Sequence, residues 1–210
     1  EELTELGDNA MTFQADVSDD AAVQEMVAAT METFGRLDVL VNNAATTQFI
    51  PHSHLDGVTD DIWRNILAVN LLRPFHCIRA CVPHMKEAGE GAIVNVASVA
   101  GVAAIGSCVP YCASKAGLIN MTVSMARALG PKIRVNCVAP GFIEGDWLKA
   151  GLGKNYEPVK AANEAKAVLG KVCTSEDVAD AIMTFIQGSN LVTGQTVGVD
   201  GGMLIGPKIS

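Results

Sequence analysis

Apolar residues along the chain follow two alternating rhythms: short runs of strand type and longer segments of helical period. Residues 11–17 read as a strand. Ser18 is placed to cap a helix running to about residue 34, with Val23, Val27, Met31 and Phe34 on one face and Gly35 as its stop. Residues 37–42 (LDVLVN) form a strand too apolar to have one wet face, as strands of a parallel sheet are. A long helix is predicted over about residues 60–87, kinked or divided by Pro74 and Pro83. Residues 92–97 (AIVNVA) are the next strand and 111–129 the next helix. Residues 133–139 (IRVNCVA) are a strand ended by Pro140-Gly141, whereas 142–172 show no clean period. Thr174 then caps a helix through residue 187, with Val178, Ile182 and Phe185 inward. Residues 193–199 form the last strand, closed by Gly201-Gly202. Alternation of this kind specifies an α/β fold: a parallel sheet covered by helices on both faces, in which ligands lie at the carboxyl ends of the strands.

Composition narrows the picture. The 210 residues are 49% hydrophobic and 18% charged, which suits one domain, residues 1–210, with a full core and excludes a disordered or fibrous chain. A net charge of −8 with no basic block argues against nucleic acid as a partner. The longest stretch free of charge, residues 91–114, is broken by Asn95, Gly101, Gly106 and Pro110, so it reads as strand, loop and helix, and no membrane partner is expected. Six cysteines without a CxxC pair fit a reducing, cytoplasmic setting. Cys77/Cys81 and Cys108/Cys112 stand four apart and His52-x-His54 could join them in a zinc site. Cysteines so spaced on apolar helices are ordinarily small core hydrophobes, and no metal is expected.

The chemistry lies just after the strands. Tyr111 and Lys115 stand four apart at the start of a helix, on one face and within reach of each other. A phenol titrates too high to act as a base at neutral pH, and a neighbouring ammonium would lower it. Ser98 follows the strand AIVNVA and so projects at its carboxyl end, where its hydroxyl can hydrogen-bond a substrate oxygen. Alone, YxxxK is a weak signal. It gains weight from its company: Asp16-Val17, NNAA at 42–45, Asn70, Ser98, YCASK at 111–115, IRVNCVAPG at 133–141 and TGQTVGVDGG at 193–202, in that order.

In this set the chain resembles the short-chain dehydrogenases/reductases, specifically the single-domain branch that includes the 3-oxoacyl-acyl-carrier-protein reductases. The resemblance implies a Rossmann-like doubly wound parallel sheet, NAD or NADP as cofactor, and hydride transfer between nicotinamide and a carbonyl or secondary alcohol. It implies that Tyr111 is the acid/base, that Lys115 holds the nicotinamide ribose and keeps Tyr111 acidic, that Ser98 orients the carbonyl, and that Asn70 holds a water linking Lys115 to solvent. Asp16 and Val17 would contact adenine. Asn42, Ala44 and Ala45 would let backbone approach the cofactor, as would Pro140, Gly141 and Ile143. By the same resemblance the chain is a homotetramer or, failing that, a homodimer, with helices around 70–88 and 111–129 pairing and Cys77, Cys81, Met121 and Met125 at the seam.

Two departures from the family stand out. Its opening strand and glycine-rich turn, TGxxxGxG, have no counterpart, since only Gly7 precedes Gly35. The expectation is a piece that lacks a first βαβ unit; a chain truly starting at Glu1 would favour a non-enzymatic scaffold instead. After Pro140-Gly141 the usual threonine is replaced by Gly145 within Ile143-Glu144-Gly145-Asp146. Residues 142–172 would form a lid over the substrate. Trp147, Leu148 and Leu152 would supply one apolar wall and Val99 and Ile105 the opposite one, favouring an apolar small-molecule carbonyl or alcohol. A non-redox epimerase or dehydratase is the rival reading within the family, weakened by the short chain.

Overall fold

The computed structural model describes residues 7, 9–16, 19–206 and 209. Four strands, β1 (Val39–Asn42), β2 (Gly91–Val96), β3 (Ile133–Pro140) and β4 (Thr196–Val199), form a parallel sheet in the order β1-β2-β3-β4. Helices alternate with them: α1 (Asp20–Phe34), α2 (Asp60–Leu67), α3 (Arg73–Ala88), α4 (Ala100–Ala103), α5 (Val109–Leu129), α6 (Asp146–Leu152), α7 (Tyr156–Lys166) and α8 (Ser175–Gln187). One core cluster joins Val23 and Val27 of α1 and Ile78, Cys81 and Met85 of α3 to Ile93 and Val135 in the sheet. A second seats Val178 and Phe185 of α8 on Val94, Val96 and Val138. The central strands β2 and β3 are buried because helices cover both faces, whereas β1 and β4 at the edges stay partly open, with Val39 and Val41 exposed, so residues 37–42 do not form the fully covered strand that their composition suggests.

Several sequence expectations need correction. Residues 10–16 carry no strand, because no described strand lies alongside β1 to pair with them, and an apolar run without a ladder partner does not become sheet. The cap of α1 is Asp19, whose Oδ1 accepts from the Ala21 amide at 2.9 Å; Ser18 lies outside the described residues. Phe34 is 40% exposed, so the buried face of α1 is Val23 and Val27. The long middle helix is divided by a π-helical turn, Ala68–Leu72, placed just before Pro74. Pro74 sits in the first turn of α3, where its missing N–H costs nothing, and Pro83 is accommodated inside α3. The aperiodic 142–172 holds two helices, α6 and α7. Cys77 and Cys81 belong to the core, 6% and 2% exposed, and are not surface seam residues.

Polar groups inside the sheet align its layers. Asn95 of β2 is fully buried; its Oδ1 accepts from Asn42 Nδ2 at 2.8 Å and its Nδ2 donates to Thr122 Oγ1 of α5 at 2.9 Å. The Arg134 guanidinium of β3 donates to the Phe185 and Ile186 carbonyls at the end of α8, at 2.8 and 3.3 Å. Thr174 and Asp177 complete a capping box at the start of the same helix.

Asn95→Ala should lower unfolding free energy by about 2–4 kcal/mol, because it removes two buried hydrogen bonds and leaves a cavity, while the Thr122 hydroxyl keeps its bond to the Leu118 carbonyl. Asn42→Ala, at a half-buried strand end, should cost only about 1 kcal/mol. Urea unfolding followed by circular dichroism measures both, and equal losses would show that Asn95 does not bridge the layers.

Candidate active site

The carboxyl ends of β1, β2 and β3 open onto one cavity of about 880 Å3, roofed by α6 and α7. Ser98, Tyr111 and Lys115 all line it, as do Ala44, Ala45, Pro140, Gly141 and Ile143 of the expected cofactor set. The predicted apolar walls are also there: Val99, Ile105, Trp147, Leu148 and Leu152.

The local folding explains the convergence. After β2, the backbone continues the ladder, Ala97 N to Val138 O at 2.8 Å and Val99 N to Pro140 O at 2.9 Å, which holds Ser98 at the strand mouth. The Ser98 hydroxyl accepts from the Ala100 amide at 3.1 Å. Pro110 opens α5 and puts Tyr111 in its first turn. Gly101 of α4 lies flat on α5: a Cβ there would stand 2.6 Å from the Lys115 carbonyl carbon and 2.7 Å from the Ala116 nitrogen. Only glycine permits this approach.

The electrostatics differ from the simple lysine–tyrosine pairing. Lys115 is 2% exposed, and its Nζ donates to the Val96 carbonyl at 2.8 Å. That nitrogen is 5.8 Å from the Tyr111 ring centre, so the cation faces the ring. Burial lowers the Lys115 ammonium to about 8. Burial also raises the Tyr111 phenol above its ordinary value, with the Ser98 hydroxyl pulling the other way. Tyr111 is therefore a protonated acid at neutral pH. In the nucleotide-free protein the cost of withdrawing the phenol from water outweighs the help of its neighbours.

Other expected residues sit elsewhere. Asn70 is buried in the π turn behind the cavity; its amide donates to Thr46 O at 2.9 Å and to Ser114 Oγ at 3.0 Å, and its Oδ1 accepts from Thr46 N at 2.8 Å. Both amide protons are thus taken by protein. Asn70 ties the loop after β1 to α5, since Ser114 Oγ in turn donates to the Tyr111 carbonyl at 2.8 Å. Asn42 does not line the cavity, being drawn into the sheet by Asn95. Asp16 also lies off the cavity, 3.7 Å from Arg73. Val17 lies outside the described residues.

Sequence reasoning missed Phe49, Phe142 and Met203, which line the cavity from two loops and a single 3-10 turn, Met203–Ile205, that carry no periodic signal. His52 lies 3.9 Å from the Cys112 thiol, and all six cysteines are free. Among the described residues no group of three or more His, Cys, Asp or Glu side chains is placed to hold a metal ion, and no helix is long and apolar enough to cross a membrane.

Comparison with known proteins decides the family. The family model described as enoyl-(acyl carrier protein) reductase matches residues 1–204. The chain belongs to the short-chain dehydrogenase/reductase family, whose chemistry is NAD(P)-dependent oxidoreduction. It is 38% identical over 207 residues to the 3-oxoacyl-acyl-carrier-protein reductase FabG of Chlamydia pneumoniae, covering 97% of this chain and 80% of that protein. Among solved structures, ElxO with NADP bound aligns with a TM-score of 0.84 at 30% identity, covering 92% of this chain and 77% of the other. The ligand-free aldohexose dehydrogenase of Thermoplasma acidophilum gives 0.85 at 25% identity, covering 94% and 80%. The strand-end cavity of the present short-chain dehydrogenase/reductase is thus set in a shared α/β frame.

Two outcomes test this site. Lysine labelled with carbon-13 should show one side chain titrating near pH 8 in the nucleotide-free protein, lost in Lys115→Met; uniform titration near the free-lysine value would contradict the burial argument. Gly101→Ala should push α4 off α5, lowering both melting temperature and turnover, whereas Gly89→Ala at a distant helix end should lower melting temperature alone.

Proposed function

We propose that the cavity reduces a small carbonyl compound, or oxidises the matching secondary alcohol, with Tyr111 as proton donor and acceptor. The observation that carries this reading is the meeting of Ser98, Tyr111 and Lys115 in one largely apolar cavity at the strand ends. The residues present suit the nicotinamide and ribose of NAD or NADP. Lys115 has one hydrogen-bond acceptor, Val96 O, for three ammonium protons, so two remain for ribose hydroxyls at the cavity floor. Ala44, Ala45 and Gly141 are small enough for backbone to approach a ligand. The dinucleotide, when bound, supplies or accepts the hydride.

The chain's own residues do the rest. Ser98 donates to the substrate oxygen and fixes its direction. Tyr111, held protonated by burial, gives its proton to that oxygen as negative charge develops, and takes one back in the reverse direction. Lys115 stabilises the phenolate so formed. Asn70 acts by position, keeping the Thr46 loop and the first turn of α5 in register. Pro140 and Ile143 present backbone to the nicotinamide side, and residues 142–172 act as a lid within one domain that excludes water from the transfer.

Assembly into a homodimer or homotetramer belongs to the same proposal. Its support is an apolar groove on the face formed by α2, the π turn, α3 and α5, lined by Leu67, Leu71, Leu72, Phe75 and Met121, with Leu72 51% exposed. Six free thiols favour a reducing compartment, and the cytoplasm is proposed.

Tyr111→Phe should reduce kcat for ketone reduction by at least ~100-fold while leaving the Kd for NADH or NADPH within about threefold. Lys115→Met should weaken dinucleotide binding instead. Stopped-flow turnover and nucleotide fluorescence titration separate the two. A Tyr111→Phe enzyme with undiminished kcat would refute the proposal.

A further inference from the structure

The segment after β1 places one large side chain at the cavity that the proposed reaction does not use. Phe49 is fixed from both sides: the Thr47 hydroxyl is hydrogen-bonded to the Ser107 hydroxyl, and the Ile50 amide donates to the Ser107 carbonyl at 2.9 Å. Its ring rests on α6 at Gly151, so closely that a Cβ on residue 151 would fall within the ring edge. It meets Trp147 of the same helix at 6.4 Å between ring centres, tilted by 53°. Trp147, Leu148, Gly151 and Leu152 make one face of α6, and all but Gly151 line the cavity.

Two further facts bear on what this arrangement is for. No residue of α6 is buried, so the helix has little packing of its own to hold it over the cavity. The aromatic surfaces are also incompletely covered, since Phe49 is 39% exposed, Trp147 58% and Ile105, another lining residue, 58%. Aromatic rings pair edge to face or offset, so the uncovered surfaces of these two side chains suit contact with a further ring. Among the described residues no acidic side chain lines the cavity, and the charged groups there are Lys115 and Lys166.

We propose that Phe49 and Trp147, seated through Gly151, form a ring clasp that selects an uncharged ketone or secondary alcohol bearing an aromatic ring. This rests on the oxidoreductase reading above and names its substrate class. The ring packs against the exposed surfaces of the two side chains, on the side that faces Ile105, and completes their burial. Phe49 and Trp147 act on affinity; the proton chemistry stays with Tyr111.

The test compares phenyl ethyl ketone with 2-butanone, using Phe49→Leu, Gly151→Ala and Trp147→Leu. Gly151→Ala keeps both rings but displaces Phe49, and lies on an exposed helix where folding is not at stake. Each variant should raise KM for the aryl ketone about tenfold, with kcat and the dinucleotide Kd within about twofold and KM for 2-butanone little changed. Binding is read separately, without turnover, by the shift of Trp147 emission on adding 1-phenylethanol in a Trp63→Phe background. Equal effects on both ketones, or none, would overturn the clasp even where activity is normal. Saturable binding of 1-phenylethanol, weakened by Phe49→Leu and Gly151→Ala, would support it even if neither ketone were turned over, a result that would defeat only the oxidoreductase reading.

Discussion

One fully buried amide, Asn95, ties the sheet to α5, and the place of that helix's side chains at the cavity floor depends on the attachment. Asn95 links β1 through Asn42 and α5 through Thr122 at once. A polar side chain in so dry a place is tolerated only when its partners are held at fixed distances, so the amide prescribes how far α5 slides along β2. One residue further on, the Val96 carbonyl receives the Lys115 ammonium from the same helix. Two buried polar contacts, separated by two turns of α5, therefore fix both its position and its rotation. Tyr111, one turn before Lys115, is brought to the strand mouth as a result.

A second polar chain runs behind the cavity. It passes from the Thr46 backbone through Asn70 to Ser114 and the Tyr111 carbonyl, and it depends on the π turn that presents Asn70 inward. The extra residue of that turn rotates the helix, which a regular helix followed by Pro74 would not do. The floor of the cavity is thus rigid and hydrogen-bonded, while the roof, α6 and α7, is joined to it by aromatic contacts and by the Lys160–Glu144 ion pair. Rigid chemistry beneath a looser cover is the arrangement a closing site requires.

Much of this was legible in the sequence. Strands β1 to β4 and helices α1, α5 and α8 stand within a few residues of where the run of apolar positions places them, most closely where burial is complete, as in β2 and β3. That Ser98, Tyr111 and Lys115 meet at one strand mouth was legible because a strand end and a helix start set the direction of their side chains. What escaped depends on distant partners. Residues 10–16 have strand composition, but hydrogen-bonding to a neighbour is not encoded in composition. The inward turn of Asn42 follows from Asn95, 53 positions away. The π turn is invisible to a search for period 3.6. Phe49 lies in an aperiodic loop, and the reason for its position is a glycine a hundred residues later. Spacing shows that Tyr111 and Lys115 are near each other and not how far each is withdrawn from water, so the upward pull of burial on the phenol was not legible.

The burial of Lys115 has a thermodynamic side. Its pKa of about 8, against an ordinary 10.5, means that the folded chain carries a charge it would release more readily than the unfolded chain does. Below pH 8 this costs about 3 kcal/mol of folding free energy. The deficit shrinks as pH rises from about 8 toward 10.5, where only the unfolded chain keeps the proton. Ligand oxygens that accept the two remaining ammonium protons offset the same deficit at neutral pH. Occupancy and folding are then two readings of one equilibrium: the empty protein is held below its full stability, and whatever fills the floor of the cavity becomes part of its core.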